Sequence, residues 1–232
     1  MISTDIRTSP RSAPSAPQSP PSYQLGLNLE KAPQIDEELF VGREDELAHL
    51  HEWLSPSKER QNVVAISGLG GMGKTQLSLH FARQHHQRYS AVVWLNASNE
   101  ITLKAAYVSL AQRIRRHNRQ SEVGQGEVVE QMNEEQAIQL VRQWLSQPDN
   151  KTWLLMLDNY DDPRLPGIRS STGYDIRTFF LYSTQGSILI TTRSSRIIFA
   201  KSVRLNKFDN LDQSLAILAR RSGRQTQGSK CI

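Results

Sequence analysis

The stretch Ser67-Gly68-Leu69-Gly70-Gly71-Met72-Gly73-Lys74-Thr75 constrains this chain more than any other. From Gly68 to Thr75 it fits the pattern G-x-x-x-x-G-K-[ST]. Before it runs Val63-Val64-Ala65-Ile66, apolar and β-branched, which predicts a buried strand. After it, Gln76-Leu77-Ser78-Leu79-His80-Phe81-Ala82-Arg83 predicts a helix. Strand, glycine loop and helix together make a loop that turns its amides inward. Phosphate oxygens need many N–H donors at close range, and glycines allow that approach without a Cβ in the way. The helix N-terminus adds the positive end of its dipole. In such a loop Lys74 reaches the β- and γ-phosphates and the Thr75 hydroxyl binds Mg²⁺. The backbone from Gly68 through Leu69, Gly70, Gly71, Met72 and Gly73 to Gln76 forms the cradle.

The remaining apolar runs alternate with helical patterns. Strands are predicted at 62–67, 91–95, 152–157 and 187–192, with a fifth at 203–205. Helices are predicted at about 43–54, from the phosphate loop to His86, 100–117, 133–146 and 174–182. A last helix is suggested by Leu211, Leu215 and Leu218. Leu103, Tyr107, Leu110 and Ile114 share one helix face, as do Ala137, Leu140, Val141, Trp144 and Leu145. This alternation predicts an α/β domain with a mostly parallel, five-stranded sheet. On such sheets ligands sit at the carboxyl ends of the strands. The glycine loop, Asp158 and Arg193 all fall at such ends.

Asp158 closes the apolar run Leu154-Leu155-Met156-Leu157. A buried acid there needs a cationic partner, and Mg²⁺ shared with Thr75 supplies one. Asp161 and Asp162 follow in the next loop. Such acids either orient or deprotonate an attacking water, or are ordinary solvated residues opening a loop. Arg193 is either a γ-phosphate contact or a surface arginine at a strand end.

Bulk properties bound the rest. With 232 residues, 38% hydrophobic and 22% charged, one packed domain is expected. No apolar run reaches membrane-spanning length, and no secretory h-region is present. A lone cysteine, Cys231, excludes an intramolecular disulfide and fits a reducing, cytoplasmic setting. The net charge of +5 rests partly on Arg113, Arg115, Arg116 and Arg119 at a helix end. That placement favours a solvated helix terminus over a nucleic-acid surface. The histidines lack metal spacing, so a zinc site is not expected. Residues 1–34, rich in Pro and Ser, are expected to be disordered, and 223–232 unstructured, leaving 35–222 as the domain.

Taken together, the motifs resemble the NB-ARC family within the STAND class of P-loop NTPases. Phe40-Val41-Gly42-Arg43-Glu44 resembles that family's adenine-contacting motif, carried here by Val41, Gly42 and Arg43. The loop from Gly68 to Thr75 resembles its phosphate loop, and Val93-Trp94-Leu95-Asn96 its second-strand motif. Leu154-Leu155-Met156-Leu157-Asp158-Asn159 with Asp161 and Asp162 resembles its Walker B element. Gly186-Ser187-Ile188-Leu189-Ile190-Thr191-Thr192-Arg193 resembles its sensor strand. The resemblance implies a three-layer ASCE-type P-loop NTPase fold, with the Walker B strand beside the sensor strand. It implies a nucleotide switch of NLR-like receptors, ADP-bound at rest and ATP-bound when active, with Mg²⁺ and slow hydrolysis. Lys74, Asp158, Asp161, Asp162 and Arg193 would carry the chemistry. Self-association, or assembly with full-length receptors, is the partner reading; no membrane or nucleic-acid partner is expected. Asn159 stands where many members have a second Asp. The family continues into a helical domain and a winged helix whose motifs are not found after Arg193, which reads as truncation. The alternatives are a non-catalytic decoy or adaptor fragment, and a P-loop kinase or fast ATPase.

Overall fold

The computed structural model describes residues 25–56, 60–120, 132–164, 173–181, 184–207, 215, 218 and 219. Its elements run β1 Gly26–Asn28, α1 Glu44–Trp53, β2 Asn62–Ser67, α2 Lys74–His85 and β3 Ala91–Asn96. Then follow α3 Glu100–Gln120, α4 Glu134–Leu145, β4 Leu154–Asp158, β5 Ser187–Thr192 and β6 Lys201–Arg204. The strands form one sheet in the order β1-β3-β4-β5-β2-β6, and every pairing is parallel.

The sheet is the middle of three layers. Strand side chains alternate between its faces. Val93, Leu95, Leu155, Leu157, Ile188 and Ile190 pack with Leu103, Tyr107, Ile114 and Val141 of α3 and α4. Val64, Ile66, Val92, Met156 and Leu189 pack with Leu50, Leu77, Leu79 and Phe81 of α1 and α2. Because both faces are covered, the central strands read as unbroken apolar runs rather than alternating ones. Asn133 and Gln136 form a reciprocal capping box at the start of α4.

All five expected strands are present, with β5, which carries the stretch resembling a sensor strand, between β2 and β4. The sheet nevertheless has six strands, because Gly26–Asn28 adds an edge beside β3. This strand lies inside the stretch expected to be disordered, so order begins by residue 25 rather than 35. The other part of that stretch, residues 1–24, lies outside the described residues, as do 121–131 of the expected loop. The suggested last helix and the tail 223–232 fall mostly or wholly outside them too. The helix expected at 174–182 is a single 3₁₀ turn, Ile176–Phe179, capped by the Asp175 side chain. Among the described residues no helix is long and apolar enough to cross a membrane.

Candidate functional site

A parallel sheet sends all its strand carboxyl ends to one rim, and the candidate residues gather there. β2 ends at Ser67, and the loop that follows closes onto α2 at Lys74. Gly68 sits where a Cβ would lie 2.8 Å from the Leu205 carbonyl, so only glycine lets β2 and the segment after β6 approach this closely. Gly73 adopts φ +85, the left-handed turn that starts α2. The first amides of α2 have no carbonyl four residues back within the helix, so they face the loop as donors.

Lys74 bends back over this loop. Its Nζ donates to the Gly68 and Leu69 carbonyls, each at 2.9 Å. Burial holds its pKa below the usual lysine value, opposed by the nearby Asp161 carboxylate. Thr75 Oγ1 donates to both carboxylate oxygens of Asp158, at 2.8 and 3.1 Å. Asp158 is buried and also accepts from the Thr191 hydroxyl and, at 3.3 Å, from Asn159 Nδ2. Burial pushes its carboxyl pKa up, while the Thr191 and Thr75 hydrogen bonds pull it back.

Above this floor lies a cleft of about 630 Å³. Gly70, Gly71, Lys74 and Thr75 line one side, and Ser98, Asn159, Asp161 and Arg193 the other. It meets a second cavity, of about 250 Å³, at Gly73 and Gln76, which line both. The second cavity has more apolar side chains in its wall, beside Gln34, Asp36 and Gln76. Ile35, Leu39, Phe40 and Val41 wall it together with Arg43 and Met72. A polar, cationic chamber opening into a partly apolar one matches the two halves of a nucleotide.

The far wall, residues 34–40, precedes α1 and rests on α2. Phe40 stacks on His80 with ring centroids 3.9 Å apart and planes 12° from parallel. Arg83 Nη1 reaches the Ile35 carbonyl at 3.2 Å and Glu37 Oε1 at 3.3 Å. Gln76, His80 and Arg83 stand four and three residues apart, on one helix face.

Each sequence-expected residue has a place. Val41 and Arg43 line the apolar cavity. Gly42 and Arg43 both have positive φ, and Arg43 is tied to Glu46 at 2.8 Å and to the Asn206 carbonyl at 2.7 Å. Gly68 and Leu69 contribute the carbonyls that hold Lys74, and the Leu69 side chain is exposed. Asp161 and Arg193 meet in the cleft, whereas Asp162 is exposed, with Oδ1 against Gly173. Sequence reasoning left out Ile35, Leu39, His80, Arg83, Ser98 and Thr191. The signals for Thr191 and His80 were there: a hydroxyl two residues before Arg193 at a strand's end, and a ring one turn after Gln76.

The donor set fits a nucleotide with Mg²⁺. Thr75 and Asp158 offer a hydroxyl and a carboxylate in contact, the hard oxygen ligands such an ion takes. Lys74 and Arg193 offer cations on two sides of the same cleft.

Comparison with known proteins gives the family. Residues 39–168 match the family described as the AAA ATPase domain. A nucleotide-binding leucine-rich repeat (NLR)-like protein of Hyaloscypha variabilis is 28% identical over 169 residues, covering 68% of this chain and 16% of its own length. The putative disease resistance RPP13-like protein 1 of Arabidopsis thaliana is 30% identical over 173 residues, covering 70% of this chain and 14% of its own. This chain thus spans about one-sixth of the length of these relatives or less. Among solved structures, Cdc6p from Pyrobaculum aerophilum is 16% identical with a TM-score of 0.48, covering 82% of this chain and 54% of that one. With the family match spanning more than half of its length, the chain belongs to the AAA ATPase domain family, as a P-loop NTPase similar to NLR-like proteins.

Proposed function

We propose that this domain is a nucleotide switch that binds ADP or ATP with Mg²⁺ and hydrolyses ATP slowly, as part of a signalling receptor of the NLR-like kind. The observation that carries the reading is the Thr75–Asp158 contact at 2.8 Å, flanked by Lys74 and next to a cavity walled in part by Ile35, Leu39, Phe40 and Val41. The residues divide the work. The loop amides from Gly70 to Gly73 and the start of α2 take phosphate oxygens. Lys74 exchanges its two carbonyl acceptors for the β- and γ-phosphates. Thr75 and Asp158 hold Mg²⁺, which when bound neutralises phosphate charge. Arg193 meets the terminal phosphate from the opposite side. Phe40 and Val41 cover the base. Asn159 follows Asp158 where a second acid would be the stronger base, which fits slow turnover.

A cytoplasmic setting fits the single cysteine. Self-association, or assembly with full-length receptors, fits the similarity to NLR-like proteins. Titration calorimetry with ADP and ATP, with and without Mg²⁺, tests the reading, alongside phosphate release. Binding that is lost in Lys74→Ala, with release far below one turnover per second, is expected. Failure of the wild-type chain to bind either nucleotide sinks the proposal. Steady turnover of about 1–100 s⁻¹ with a small-molecule acceptor would make it a kinase instead.

A further inference from the structure

We infer that Asp161 is a positioning residue for Arg193, and through it sets how strongly the site prefers a nucleoside triphosphate to the diphosphate. The inference deepens the nucleotide reading above and rests on it.

The β4–β5 ladder makes its last pairing at Leu157 and Ile190. Beyond that point the two segments remain joined. Tyr160 N donates to the Thr191 carbonyl at 2.9 Å, and Asn159 N to Thr191 Oγ1 at 3.0 Å. The Thr192 hydroxyl donates to the Tyr160 carbonyl. Asn159 takes φ +67, a left-handed conformation that asparagine tolerates better than most residues. This turn keeps the chain after Asp158 alongside the chain after β5. The final rung is Asp161 on Arg193.

That rung is specific. Oδ1 of Asp161 accepts from the Arg193 backbone N, and Oδ2 from Arg193 Nε, each at 2.6 Å. The carboxylate therefore grips one residue at its backbone and at the inner nitrogen of its guanidinium. Nε is the inner nitrogen of the guanidinium, so the outer pair, Nη1 and Nη2, is left to face another anion. Arg193 is 63% exposed at its side chain and lines the same cleft as Lys74. A guanidinium fixed through Nε presents its remaining edge as a preformed fork for phosphate. The terminal phosphate is the group a triphosphate has and a diphosphate lacks.

A general-base role for Asp161 fits less well, since both oxygens already accept from donors. A stabilising role is also weak grounds for the pair, because exposed ion pairs contribute little to folding. Orientation is what the geometry supplies.

The test compares the affinities of Mg²⁺-ADP and a Mg²⁺-bound non-hydrolysable ATP analogue in wild type, Asp161→Ala, Arg193→Ala and the double variant. The readout is the ratio of the two affinities, which a loss of folding or of general binding would not move. Asp161→Ala should shift the ratio towards ADP by about tenfold, the worth of one oriented charged hydrogen bond. Arg193→Ala should shift it at least as far, and the double variant no further than Arg193→Ala. Asp161→Asn, which keeps one acceptor, should fall between wild type and Asp161→Ala. An unchanged ratio in Asp161→Ala, a shift towards ATP, or losses that multiply in the double variant would overturn the inference. Failure of the wild type to bind either nucleotide would instead remove the nucleotide reading, and this inference with it.

Discussion

Asp158 is 1% exposed, and three donors converge on its carboxylate. A buried carboxylate is tolerated only while such donors remain. Thr191→Val keeps the side-chain shape and removes one of them. It should destabilise the fold by about 1–3 kcal/mol, read from the urea midpoint at unchanged slope. His80 gives a pH-dependent counterpart. Burial holds its imidazole pKa below the usual value; Glu37 opposes this and Arg83 adds to it. Its Nε2 meets Gln84 at 2.9 Å, and its buried Nδ1 has no hydrogen-bond partner. His85 is lowered likewise, by burial and then by His51, Arg88 and His80. A base with a lowered folded pKa binds its proton more readily in the unfolded chain. Its contribution is therefore intact above about pH 6.5 and is lost as the pH falls below that. The melting temperature should drop between pH 7.5 and 5.5, and His80→Phe, which retains a ring under Phe40, should reduce that drop. An equal drop in both proteins would exclude His80 as its source.

Among elements, the turn into β5 is the least forgiving. Gly186 has φ +78, and a Cβ there would fall 2.1–2.4 Å from ring carbons of Trp153, itself buried just before β4. Gly186→Ala combines a left-handed backbone with overpacking against a fixed ring, for a loss of about 3 kcal/mol. A change within 0.5 kcal/mol in equilibrium unfolding would contradict this close fit. The same scale explains what could be read from the chain beforehand. The strands Asn62–Ser67, Ala91–Asn96, Leu154–Asp158 and Ser187–Thr192 are covered on both faces, so their sequences are unbroken apolar runs. Gly26–Asn28 has three residues, pairs on one side and buries little, so it left no such trace. Asp158 and Arg193 were legible because each stands at or just past a strand's carboxyl end, and Lys74 and Thr75 because they open the helix that follows the glycine loop. Of the cavity wall only Phe40, Val41 and Arg43 were read from the motif; Ile35 and Leu39, the Arg83 contact and the Asp161–Arg193 clamp were not, because these contacts join residues 30 or more positions apart. Only the sheet order brings those together.

For the whole molecule, ligand binding and stability are linked. Mg²⁺-ADP at a hundredfold above its Kd should stabilise the folded chain by about 2.7 kcal/mol. For a domain of this size that raises the melting temperature by several degrees. Lys74→Ala should show no rise, and a rise of equal size in that variant would place the ligand elsewhere. The six-stranded sheet and its helices form the frame, but the two chambers draw on different stretches of chain. The phosphate side comes from residues after Asn62. The base side leans on residues 34–41, which lie ahead of α1 and meet α2 at the Phe40–His80 stack and at Arg83. Alanine in place of Ile35, Leu39 and Val41, with the sheet left whole, would thus keep the grip on pyrophosphate while blurring which nucleoside is attached.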